Sequence, residues 1–235
     1  MGRFPQPEGQ RGSLKWTQLL VNDYPELINE PLREACGLSS RTQIEWLSPL
    51  RPDQFSEYRD RAFLGQLSIR LGKRDLGAFW PRHGPQWDAL GRSDREDIFL
   101  VESKAHIGEL ISPGTSASTQ SKKLIDSSLN EVQSFLGARP LVDWSAVFYQ
   151  YTNRLAHLYL LRKLNDVRAH MVFVYFVGDR EMQGPQTTQE WRSALQVVRA
   201  LLGLRDKHKL SGFVHDVFIK VSSFKAPGDR GEATF

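Results

Sequence analysis

The chain has 235 residues, 40% of them hydrophobic and 25% charged, with a formal net charge of +4. That length can bury a full core, the composition is that of a globular protein, and no apolar run is long enough to cross a bilayer. One cysteine, Cys36, excludes an internal disulfide framework and a cysteine-based zinc cage, and with no signal peptide apparent the expected setting is a reducing cytoplasm.

Residues 1–12 are polar and rich in Gly and Pro, which predicts a frayed tail. Helices are expected over 14–20 and 24–36, the second stopped by Gly37. A short strand follows over 44–47, ended by Ser48-Pro49. The spacing of Phe55, Tyr58, Phe63, Leu64 and Leu67 predicts a helix, on which Glu57 or Asp60 could face a functional site, although solvated helix charges are the first reading of both. Residues 75–80 read as a first core strand, 82–85 as a turn, and 87–90 as the start of a second strand. A charged hairpin loop over 91–97 leads to a third strand over 98–105. Residues 112–121 form a small, polar loop with the composition of a lid or a linker. An amphipathic helix over 122–136 follows, carrying Leu124, Leu129, Val132 and Leu136 and closed by Gly137. A second helix spans 143–163, with Tyr151 in its apolar spacing. The run from Met171 to Val177 is almost wholly apolar, as expected of a strand buried on both faces. A helix over 187–204 and a strand over 212–221 complete the chain, with no internal repeat.

The informative feature is Glu102-Ser103-Lys104 at the end of the apolar run 98–101. Side chains alternate along a strand, so Glu102 and Lys104 share one face and Ser103 takes the other. Asp88, fourteen residues before Glu102, offers a second carboxylate from the preceding strand. Two acids and a lysine make a minimal site for a hard divalent cation, a phosphate and a water. No Gly-x-Gly-x-x-Gly, Walker loop or Gly-x-Ser-x-Gly elbow competes. His215-Asp216 lies on a strand and points to two faces, and Cys36 has no histidine nearby in sequence.

The arrangement resembles the PD-(D/E)XK nuclease superfamily, with Asp88 as the isolated acid and Glu102 and Lys104 as the E-x-K. The strict Pro-Asp is replaced by Pro85-Gln86-Trp87-Asp88. The resemblance covers roughly residues 55–180. It implies an α/β, restriction-endonuclease-like αβββαβ core, a mixed central sheet flanked by helices, over residues 51–235, with residues 1–50 as an added N-terminal helical extension packed on that core. It also implies a Mg²⁺-dependent (or Mn²⁺-dependent) nuclease. In it Asp88, Glu102 and the Ser103 carbonyl bind metal, and Lys104 positions or activates water. DNA is the implied substrate ahead of RNA, no membrane is involved, and a homodimer fits because many nucleases of this fold pair. His83, His106, Gln150 and Arg154 are candidate substrate contacts, the last two sharing a helix face four residues apart. Glu109 is a weaker candidate. Lys122 and Lys123 read as a solvated helix face. The alternatives are a non-catalytic nucleic-acid-binding or assembly module that retains the fold, and a metal-independent hydrolase built on His106 or His83.

Overall fold

The computed structural model describes residues 2–224. A five-stranded sheet is covered by helices on both faces. Its strands are β2 (Ile44–Ser48), β4 (Ala89–Ser93), β5 (Ile98–Lys104), β6 (Ala169–Val177) and β7 (Val214–Lys220), and they lie in that spatial order. β4 runs antiparallel to both β2 and β5, while β5, β6 and β7 are parallel. Connection length decides this. Only four residues, 94–97, link β4 to β5, enough for a hairpin, whereas parallel neighbours need a long crossover. Helices α5 (Thr119–Leu136) and α6 (Tyr149–Asn165) carry the chain from β5 to β6, and α7 (Thr188–Leu201) from β6 to β7.

Each sheet face has its own core. Alternate residues Phe99, Val101, Val172, Val174, Val217 and Ile219 pack with Leu20 and Val21 of α1 (Gly12–Asn22) and with Ile28 and Leu32 of α2 (Glu26–Ala35). Leu100, Met171, Phe173 and Tyr175 face the other way, onto Ile125, Leu129 and Val132 of α5, Leu155 and Leu158 of α6, and Trp191 of α7. All nine residues of β6 are buried, as the apolar run predicted. Tyr151 stacks on Phe173 at 4.5 Å between centroids, so it belongs to the core. Gly137 closes α5 at φ +67°, a conformation glycine adopts without steric cost. Gly91 of β4 leaves room for Trp46, whose ring would lie 2.9 Å from an added Cβ.

Several expectations are corrected. The N-terminal residues are not frayed: β1 (Arg3–Phe4) pairs with β3 (Glu57–Tyr58), and the Gly9 N–H donates to Gln18. The helix predicted over 55–67 shrinks to α3 (Asp60–Gln66), because Gln54, Phe55 and Asp60 sit at positive φ and the pairing with β1 draws Glu57 and Tyr58 into extended backbone. Residues 75–80 are not a strand. The Asp75 carboxylate accepts from the Gly77 N–H, starting the short helix α4 (Leu76–Phe79), and both Leu76 and Phe79 are buried. The first strand of the sheet is instead β2. It lies within the segment 1–50, so that segment contributes an edge strand to the core and does not merely pack on it. The helix expected from 143 starts at Tyr149, since Phe148 is left-handed at φ +55°. In α5, Ile125 rather than Leu124 is buried.

No helix among the described residues is long and apolar enough to span a membrane.

Candidate functional site

Asp88 precedes β4 by one residue, and its N–H continues the ladder to the Val101 carbonyl at 3.2 Å. The register that opposes Ala89 to Val101 therefore sets Asp88 beside Glu102. Asp88, Glu102 and Lys104 face the α6 side of the sheet. Ser103 faces the other side, where its hydroxyl accepts from Thr17 of α1 at 2.8 Å. Its backbone N–H donates to Asp88 Oδ2 at 2.7 Å.

The three side chains line a cleft of about 1000 Å³. Lys104 Nζ lies 2.5 Å from Glu102 Oε1 and donates to Gln150 Oε1 at 2.8 Å. Arg154 grips the other Glu102 oxygen through Nε at 2.8 Å and Nη2 at 2.5 Å, and Nη2 also donates to the Gln86 carbonyl at 2.8 Å. Gln150 and Arg154 thus reach the same pair from one face of α6, one turn apart. A third carboxylate joins from β3: Glu57 is buried in the cleft wall and accepts from Gln86 at 2.5 Å and Gln6 at 3.1 Å.

Burial weighs on every charge here, and its balance differs by residue. Asp88 is pushed well above the usual carboxylate range by burial and then by the charges of Glu102 and Glu57. Burial pushes Glu57 up to about 7, with Glu102 adding to the effect. Burial also opposes ionisation of Glu102, but Arg154 and Lys104 outweigh it and hold this carboxylate below its ordinary value. For Lys104 the same penalty is outweighed by Glu102 and Asp88, so its pKa rises. Lys104 and Arg154 supply too little positive charge for all three carboxylates to ionise, so Asp88 and Glu57 are raised and protons or a cation complete the balance. The donors are all oxygen, the kind a hard cation prefers, and Asp88, Glu102 and Glu57 are the residues that could hold one.

The other candidates divide. His83 lines the cleft, at the rim, where Nδ1 lies 3.0 Å from Arg59. His106 does not share the face of Lys104, because β5 ends at Lys104. It caps a single 3₁₀ turn, Ile107–Leu110, with Glu109 returning the bond. Glu109 accepts from the N–H groups of Ala105 at 2.5 Å and His106 at 3.3 Å, and from the Ser13 hydroxyl at 3.0 Å, so the structure gives it a capping role. Asp60 accepts from Gly84 N–H at 2.9 Å and shapes the turn before Asp88. Residues 111–118 wall the cleft, but they are stitched down: Thr115 N–H donates to the Ser145 carbonyl at 2.9 Å, and Gln150 N–H to the Ser112 hydroxyl at 2.9 Å. Lys122 pairs with Asp126. Gln86 and the strand setting of Glu57 carry no local sequence signal, since both arise from the long-range pairing of β3 with β1 and of Tyr58 with Trp87.

No family model matches the chain, and no curated protein or solved structure shows significant similarity to it.

Proposed function

We propose that this chain is a Mg²⁺-dependent nuclease with a restriction-endonuclease-like fold, hydrolysing phosphodiester bonds in DNA. The observation that carries the reading is the convergence of Asp88, Glu102 and Lys104 on one face at one end of a central strand, inside a polar cleft. The element order supports it: α2, β2, β4, β5, α5 with α6, then β6 follows the αβββαβ pattern, with β2 in the place first assigned to 75–80.

Asp88, Glu102 and Glu57 would hold the metal, with the Ser103 carbonyl as a further oxygen. Bound Mg²⁺ supplies charge for the phosphate oxygens and makes water more acidic. Lys104, kept an ammonium by its carboxylate neighbours, donates to the phosphate or to the attacking water rather than acting as a base. Gln150 fixes the ammonium through its amide oxygen. Water attacks phosphorus and releases a proton to solvent, the P–O bond to the leaving oxygen breaks, and that oxygen takes a proton from solvent. Residues 111–118 and the rim with His83 would flank the nucleic acid.

A second reading has its own observation. Both Glu102 oxygens already face internal cations, as they would in a non-catalytic nucleic-acid-binding module that keeps this cluster as an ion pair. Titration of Mg²⁺ and Mn²⁺ into the wild type and an Asp88→Asn/Glu102→Gln variant, then incubation with plasmid and single-stranded DNA, separates the two. The nuclease reading expects metal binding and cleavage that vanish together in the variant, with single-turnover cleavage falling at least about 10²-fold. Cleavage unchanged in the variant would overturn it. Salt-dependent DNA binding with no metal uptake would establish the module.

A further inference from the structure

At the opposite end of the parallel strands, on the opposite sheet face, three side chains of a different chemistry meet. Cys36 caps the C-terminus of α2, and His170 and His215 are the second residues of β6 and β7. Cys36 Sγ lies 3.5 Å from His170 Nδ1 and 3.4 Å from His215 Nε2, and the two nitrogens are 2.9 Å apart. Both histidines are buried and the cysteine is half-buried.

We infer that Cys36, His170 and His215 form a binding site for Zn²⁺ or a similar borderline-soft cation, distinct from the acidic cleft. Standard Zn–N and Zn–S bond lengths in tetrahedral geometry put two nitrogens about 3.3 Å apart and sulfur about 3.5 Å from each nitrogen. The observed triangle departs from this only in the N–N edge, which must open by a few tenths of an ångström. Thiolate and imidazole donors favour Zn²⁺ over Mg²⁺. A second observation supports the site. The other nitrogen of His170, Nε2, lies 3.8 Å from Asp97 Oδ1. Asp97 is buried and fixed by Ser93 at 3.1 Å and Arg168 at 2.8 Å. A carboxylate behind a ligating histidine is the usual device for orienting the ring toward a metal, and here the contact has to close by about half an ångström to become that hydrogen bond. Binding ionises Cys36, whose proton passes to solvent, and the fourth coordination position is left to water. The three ligands are separated by 134, 179 and 45 residues in sequence, so the ion ties the end of α2 to the neighbouring parallel strands β6 and β7.

The test uses the full chain stripped of metal by chelator. Added Co²⁺ should give thiolate-to-cobalt charge-transfer absorption that saturates at one equivalent and is bleached by Zn²⁺. Zn²⁺ should slow alkylation of Cys36 by iodoacetamide in the wild type, a readout that needs no variant. Cys36→Ser should lose the absorption, Asp97→Asn should weaken the affinity about 10- to 100-fold, and Asp88→Asn/Glu102→Gln should keep the absorption. That last result separates this site from the nuclease reading. No charge-transfer band in the wild type, or alkylation at the same rate with and without Zn²⁺, overturns the inference.

Discussion

The two ends of the parallel strands β5, β6 and β7 concentrate polar groups in opposite ways. At the C-terminal end of β5, carboxylates, an ammonium and a guanidinium interlock. At the N-terminal ends of β6 and β7, two imidazoles and a thiol meet beside one well-anchored carboxylate. The first cluster is dense in formal charge, with Glu102 held between Lys104 and Arg154, so removing either cation leaves that buried carboxylate short of a partner. The second is neutral until a ligand or a proton arrives. One sheet therefore holds a charge-balanced end and a donor-rich end, and each should fail in its own way when disturbed.

The charge-balanced end should fail hardest when Arg154 is removed. Arg154→Ala leaves Glu102 with Lys104 alone and leaves the Gln86 carbonyl unpaired. Breaking a buried pair from one side costs about 3–5 kcal/mol, so urea unfolding should show a loss of that size without added metal. Mg²⁺ should restore more stability to Arg154→Ala than to the wild type, because the ion replaces the missing positive charge. Equal responses of the two proteins to Mg²⁺ would mean that the cleft does not use a cation in this way.

The ends also differ in how far the sequence exposed them. β5 is legible because its apolar run and its alternation are local, and so is the shared helix face of Gln150 and Arg154, although sequence offers them as substrate contacts and they hold Lys104 and Glu102 instead. Asp88 could be picked out only as an acid at a suitable spacing. Its place opposite Glu102 depends on the register of β4 against β5. Glu57 reads in sequence as a helix charge that could face the site, and nothing near it shows that residues 3–4 return to pair with it and place it on a strand. The helix at 76–79 was read as a strand because four apolar-rich residues carry too little periodicity to reveal a cap at Asp75. The donor-rich end was invisible: Cys36 lies 134 residues from His170, and only the packing of α2 against the sheet joins them. Local chemistry is written in short patterns, while a cluster assembled from three distant elements is not.

Histidine burial supplies a test that separates the donor-rich end from the rest of the fold. His157, on the α6 side, packs edge-on against Trp80 and Trp87 and bonds the Asn153 carbonyl at 2.8 Å. Burial lowers its pKa from 6.5 to about 4. The unfolded chain therefore takes up the proton first. The stability this group preserves is intact above pH 6.5 and is lost progressively as the pH falls toward 4, by up to about 3 kcal/mol. His157→Leu should flatten that part of the pH dependence in chelator-treated protein, seen as a smaller fall in the urea midpoint between pH 6.5 and 4. The acid sensitivity that remains belongs to the other titrating groups, the neutral pair His170 and His215 among them. If the slope of His157→Leu matches that of the wild type, His157 is not held neutral by burial.

The smallest change addresses what positions Lys104 inside the charge-balanced end. Gln150→Ala removes one hydrogen bond to the ammonium and leaves its contact with Glu102 intact. A hydrogen bond to a charged group contributes about 1.5–3 kcal/mol, which corresponds to roughly a 10- to 150-fold fall in single-turnover cleavage. Metal affinity should stay constant, since Gln150 touches no carboxylate. Gln150→Glu should act differently: a fourth carboxylate beside Lys104 and near Glu102 should tighten Mg²⁺ binding while slowing cleavage, because it draws the ammonium away from the phosphate. Parallel losses of metal affinity and rate in Gln150→Ala would instead make Gln150 part of the metal-binding wall. The contrast between the two substitutions therefore tells whether α6 contributes to this end by orienting a cation or by adding to the negative field that attracts one.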